Sequence, residues 1–138
     1  MRKILHLKKR RDFLRVADGI RMVVSCVILQ AAPSLKKDPD QNVCHVGYTT
    51  TKKLGSAVVR NRIRRRLRAA VQEVFPSRAK RDMDYVLIGR YKTISCSFDE
   101  LKGDLKWALK KANIMMAKGI TKSPPPTRKK LDEESDDA

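Results

Sequence analysis

Six of the nine residues from Arg60 to Arg68 (RNRIRRRLR) are arginine, and no acid lies between Lys52 and Arg68. A segment this charged folds only if it can hide an apolar stripe and leave every guanidinium in water or on a partner. Val59, Ile63, Leu67, Ala70 and Val74 supply that stripe at steps of four, four, three and four. The spacing predicts an amphipathic helix from Gly55 or Ser56, either of which would cap it, to about Phe75, with Pro76 allowing at most one further turn. At about 100° per residue, Asn61, Arg64, Arg65 and Arg68 point away from the stripe, flanked by Arg62 and Arg66. Arg60, Arg64 and Arg68 repel one another at i, i+4, which a free helix would not favour.

The rest of the chain is compatible with one α+β domain. Leu7, Phe13, Leu14 and Ala17 recur at helical spacing over Lys8–Asp18, with Gly19 as a stop. Ile20–Ala31 is rich in β-branched residues and reads as one long strand or two short ones. Val43–Thr51 is a further strand, with His45, Gly47 and Thr49 on one face and Cys44, Val46, Tyr48 and Thr50 on the other. Asp84–Tyr91 is nearly continuous in apolar character, as expected of a strand covered on both faces. Ser97 with Glu100 forms a capping box for a last helix to about Met116, whose inner face is Leu101, Leu105, Ala108, Leu109 and Ala112. The expected order is α-β-β-(β)-α-β-α over residues 5–118. Residues 119–138, with three consecutive prolines from Pro124 and an acidic end, read as a disordered tail.

Charge narrows the function. The net charge is +17, and ahead of Lys122 there are 28 basic and 10 acidic residues. A body of that sign repels itself unless a polyanion screens it, so nucleic acid is the expected partner. Arginine suits the phosphate backbone because its planar fork makes paired hydrogen bonds and stays charged. Lys52 and Lys53 add to the positive N-terminal end of the helix. A second basic patch, Lys8, Lys9, Arg10 and Arg11, precedes Phe13. Basic residues beside a ring are what a single strand needs, unless Phe13 is simply core. Tyr48 carries the same two readings.

Other classes fit poorly. No apolar run approaches the ~18–20 residues of a membrane span, and the start lacks the apolar segment of a secretory signal. Three cysteines (Cys26, Cys44, Cys96) without CxxC spacing read as small apolar residues of a reducing cytoplasm. His6 and His45 have no nucleophile or acid in a recognisable frame, and the pairs Asp38/Asp40 and Asp82/Asp84 read as solvated turns.

The block Val46-Gly47-Tyr48-Thr49-Thr50-Thr51-Lys52-Lys53-Leu54-Gly55-Ser56-Ala57-Val58-Val59-Arg60-Asn61-Arg62, continued by Arg64, Arg65 and Arg68, resembles the "RNR" signature of the bacterial ribonuclease P protein family. Lys9–Phe13 with Val16 is similar to that family's opening helix, and Asp84–Arg90 to its last strand. The resemblance implies a fold like the second domain of ribosomal protein S5, with a left-handed βαβ crossover. It implies an accessory role to a catalytic RNA that removes the 5′ leader of precursor tRNA, with Mg²⁺ held mainly by the RNA. No catalytic residue or metal ligand is then expected in the protein, and neither a membrane nor a protein partner. Carried over by position, Lys52, Lys53, Arg60, Asn61, Arg62, Arg64, Arg65 and Arg68 would contact the RNA subunit. Lys9, Arg10, Phe13, Val16, Val27, Tyr48 and Thr49 would serve the leader. Ala17 and Cys26 stand where relatives often carry aromatics, which shifts stacking to Phe13 and Tyr48. The alternatives are a ribosomal-type RNA scaffold with no processing role, a self-contained nuclease, and a helix-turn-helix DNA reader.

Overall fold

The computed structural model describes residues 2–35 and 42–120. Its order is β1 (Lys3–His6), α1 (Arg10–Ala17), β2 (Ile20–Val23), β3 (Val27–Pro33), β4 (Val43–Thr49), a 3-10 turn (Lys52–Leu54), α2 (Ala57–Arg78), β5 (Met83–Gly89), α3 (Lys92–Ser95) and α4 (Phe98–Ala117). The strands form one mixed sheet in the order β1-β4-β5-β3-β2. β1, β4 and β5 run parallel, with Ile4 opposite Cys44 and Tyr48 opposite Leu87. β3 is antiparallel to both β5 and β2, pairing Leu29 with Leu87 and with Met22. The parallel β4–β5 pair is joined through α2.

The apolar pattern accounts for the layers. Alternate residues of each strand face α2 and α4: Cys44 and Val46 of β4, Tyr85 and Leu87 of β5, Val27, Leu29 and Ala31 of β3. They meet Ile63, Leu67, Ala70 and Val74 of α2 and Leu101, Leu105 and Leu109 of α4 in the main core. Phe75 and Tyr85 meet edge to face at 5.2 Å, and the buried Tyr85 hydroxyl donates to Asn113 Oδ1 at 2.9 Å while accepting from Lys80 N at 3.1 Å. The opposite face carries α1 over a smaller cluster of Leu7, Val16, Ala32 and Val86, with Phe13 and Ile88 packed on it.

Both long helices begin as expected. Ser56 Oγ accepts from Val59 N at 3.3 Å, and Ser97 Oγ from Glu100 N at 3.1 Å. Pro76 sits inside the last turn of α2, which ends two residues later. β5 stops at Gly89 rather than Tyr91, because Arg90–Cys96 turns into α3. That turn braces the bend between β2 and β3: Thr93 Oγ1 donates to the Cys26 carbonyl at 2.6 Å, and Arg90 to the Val24 carbonyl at 2.6 Å.

Regular structure begins at Lys3, ahead of the expected residue 5. β1 has only four residues of mixed polarity, and it exists because β4 offers a parallel edge. The pair Asp38/Asp40 and all but the first two residues of the expected tail, 119–138, lie outside the described residues. Asp82 does occupy a turn, at φ 58°, but Asp84 is a buried residue of β5 at 4% exposure, not a solvated turn position.

Candidate nucleic-acid interfaces

The first surface is built on α2. Gly55 takes φ 138°, a backbone that side chains rarely adopt, and so lets the 3-10 turn pass directly into the helix. Leu54 is buried beneath this turn, which leaves Lys52 and Lys53 exposed at the helix entrance. Along the helix the arginines divide into anchored and open groups. Arg66 donates to the carbonyls of Thr93 at 2.8 Å and Cys96 at 2.6 Å, and it lies over the Phe98 ring. Arg64 donates to Thr50 Oγ1 at 2.6 Å and to Asn61 Oδ1. Arg68 lies 5.7 Å from the Tyr48 ring centroid, in cation–π range. Burial pushes the Tyr48 hydroxyl up to about 12, with Arg68 pulling against it, so the ring stays neutral. Arg62 and Arg65 are exposed and, among the described residues, make no hydrogen bond or ion pair. They are the arginines most available to phosphate.

The second surface lies on the other face of the sheet. Phe13 of α1 packs directly on Gly47, where an added Cβ would sit 2.4 Å from the tip of the ring. Beside this contact is a cavity of about 290 Å³ lined by His6, Leu7, Lys8, Lys9, Arg11, Asp12, Arg15, Ser34, Leu35, His45 and Asp84. Its floor is already neutralised. Asp84 is bound by Arg15 and accepts from Ser34 Oγ at 2.6 Å, while His45 Nδ1 lies 3.1 Å from the same carboxylate, out of line for a hydrogen bond. Arg15 also donates to the Pro33 carbonyl at 2.7 Å. The open positive charge at this rim is therefore Lys8, Lys9, Arg10 and Arg11, all exposed.

Burial pushes the Cys44 thiol up to about 12 and raises Cys26 as well, which leaves both as packing groups. Among the described residues no three of His, Cys, Asp and Glu gather in a set able to hold a metal ion, and no helix is long and apolar enough to cross a membrane.

The ribonuclease P family profile matches residues 1–113. The chain belongs to the ribonuclease P protein family. It is 44% identical over 119 residues to the ribonuclease P protein component of Paramagnetospirillum magneticum, covering 86% of this chain and 90% of that one. To that of Gluconacetobacter diazotrophicus it is 47% identical over 109 residues, covering 78% and 90%. The RNase P protein of Staphylococcus aureus has the same fold, with a TM-score of 0.61 at 25% identity over 80% of this chain and 96% of that one. The RNase P protein from Thermotoga maritima shares the fold at 22% identity, with a TM-score of 0.63 over 77% and 96%.

In this chain the residues expected to meet RNA do not all stand where the chain order suggested. Lys52, Lys53, Asn61, Arg62, Arg65 and Arg68 are exposed together along α2 and its entrance, with Arg60 and Arg64 half-buried beside them. Of the leader set, Lys9, Arg10, Phe13 and Thr49 share the α1 side. Val16 and Val27 require correction, since both are fully buried and offer a ligand no surface. Val27 moreover faces α2 and α4, because alternation along β3 turns it away from α1. Tyr48 also stands on the α2 side, under Arg68, so it cannot share a pocket with Phe13. Cys26 is buried beneath Thr93 and Asp104 and is no position for stacking. Two exposed rings were missed, Trp107 on α4 and Tyr91, whose hydroxyl donates to the Lys53 carbonyl at 2.6 Å and extends the α2 surface. Reading β5 as far as Tyr91 hid the latter, although the break after Gly89 was there to be seen.

Proposed function

We propose that this chain is the protein subunit that binds the catalytic RNA of ribonuclease P through α2 and the 5′ leader of precursor tRNA along the α1 face, in the cytoplasm. The observation that carries the reading is the row of exposed, acid-free arginines on α2, with Arg62 and Arg65 unpaired among the described residues. It sits on one side of the sheet, while a lysine- and arginine-rimmed cavity lies on the other, beside the half-buried Phe13 that packs on Gly47. Two polyanions can thus be held by one domain, one on each face. The excess positive charge screens their mutual repulsion, so the assembly should need less Mg²⁺. The reading leaves both the Mg²⁺ ion and the bond cleavage to the RNA. What the protein contributes is attraction and position: guanidiniums hold backbone phosphates, and the half-buried Phe13 ring beside the cavity takes a leader base.

The test is to tag the protein in its own cells, crosslink it and sequence the bound RNA. A ribonuclease P-type RNA with 5′-extended tRNA precursors is expected, together with precursor cleavage at lower Mg²⁺ when the protein is added to that RNA. Ribosomal RNA alone would make this a scaffold instead.

A further inference from the structure

Trp107 is the one tryptophan of the chain, and it stands 51% exposed on the outer side of α4. The helix does not need it for packing. Its inner face is already filled by Leu101, Leu105, Ala108, Leu109 and Ala112, each no more than 1% exposed.

From the ring onward along the helix the charge has one sign. From Leu105 to Ile120 there are four lysines (Lys106, Lys110, Lys111 and Lys118) and no acid. The acids of α4 lie earlier in the helix and serve the fold. Asp99 and Glu100 suit the positive end of the helix, and Asp104 accepts from Cys26 N at 2.9 Å. Lys111, one turn on, brings its ammonium to 5.7 Å from the Trp107 ring centroid. One turn back is Gly103, where an added Cβ would meet nothing within 4 Å. Helical side chains lean toward the preceding turn, so the ring reaches over a stretch left bare.

We propose that Trp107, with Lys106, Lys110 and Lys111, forms a second contact with the catalytic RNA. An unpaired base stacks on the indole while the lysines hold the adjoining phosphates. The proposal rests on the function proposed above. A ring among lysines suits a single strand, because every base has a face to stack and every phosphate a charge to meet. A protein partner would be poorly served, since lysine is depleted at the centres of protein interfaces. The RNA subunit is favoured over the precursor because α4 shares its side of the sheet with α2, whereas the α1 cavity opens on the other.

Trp107 reports on itself. The full-length protein is titrated with the catalytic RNA while tryptophan emission is followed at 295 nm excitation, with filter retention as an independent measure of binding. Expected are saturable quenching by that RNA and none by precursor tRNA alone. Trp107→Ala and Trp107→Leu should each weaken binding about tenfold, and Trp107→Tyr should restore most of it. Thermal unfolding should be unchanged in all three. Tight binding with unmoved emission, or equal affinity of Trp107→Ala and the native chain, would overturn the proposal. So would emission that shifts with protein concentration in the absence of RNA, which marks a second copy on this face. Failure of the underlying reading looks different: the native chain would not retain the RNA at all, or Arg65→Ala with Arg68→Ala would leave retention unaffected.

Discussion

Arg15 and Arg65 both sit in basic helical sequence, yet they have opposite fates. Arg15, on α1, binds the buried Asp84, donates to Pro33 and lies 3.4 Å from Asp12. Arg65, on α2, projects into solvent with no partner among the described residues. The first is part of the fold, pairing with a carboxylate that the sheet layer buries to 4% exposure. The second costs the fold nothing to lose and is free for phosphate. Counting basic residues would score the two alike. What separates them is whether the tertiary structure supplies a carboxylate, and it does so only under α1.

Breaking that contrast at Arg15 should have the largest effect. Arg15→Ala strands Asp84 and is expected to lower stability by about 3 kcal/mol, at the low end for a buried pair because the guanidinium is still 23% exposed. Urea unfolding measures the loss, and adding Asp84→Asn should recover part of it. RNA affinity extrapolated to the folded protein should keep its salt slope.

The reverse pattern is expected on α2. Arg65→Ala with Arg68→Ala should leave unfolding within about 0.5 kcal/mol of the native chain, as for other surface changes. The slope of log affinity against log salt for the RNA subunit should flatten by about two phosphate contacts. An unchanged slope would place the RNA elsewhere.

Phe13 tests the α1 face itself. Phe13→Ala is expected to cost ~1–3 kcal/mol in binding precursor tRNA and little in binding mature tRNA. Equal losses for both would make the ring a packing group over Gly47 and nothing more.

The smallest effect is the pH response of Tyr48. Its hydroxyl is raised by burial from 10 to about 12, so it favours the neutral folded state. The associated stability is complete below pH 10 and is lost as pH rises toward 12. Tyr48→Phe should remove its share of that alkaline fall, read by unfolding at several pH values. Tyr85, Cys44 and Cys26, raised by burial in the same direction, keep the remainder.

The amino-acid sequence by itself determined the two long helices, their caps and their buried faces. Those depend on contacts three and four residues apart, and Ile63, Leu67, Ala70 and Val74 or Leu101, Leu105 and Leu109 declare themselves by spacing. The basic character of α2 was legible for the same reason. Strand alternation was legible too, and it correctly set Tyr48 against Thr49. Only the tertiary structure decided which face α1 would cover, and with that the separation of Tyr48 from Phe13 and the burial of Val27. It also decided β1, which four residues cannot hold without the β4 edge, and the Arg15–Asp84 pair, whose members stand 69 residues apart. Local periodicity fixes what a segment turns inward. Which charge finds a partner across the sheet is settled by packing, and in this chain that is what distinguishes a structural arginine from one left open to RNA.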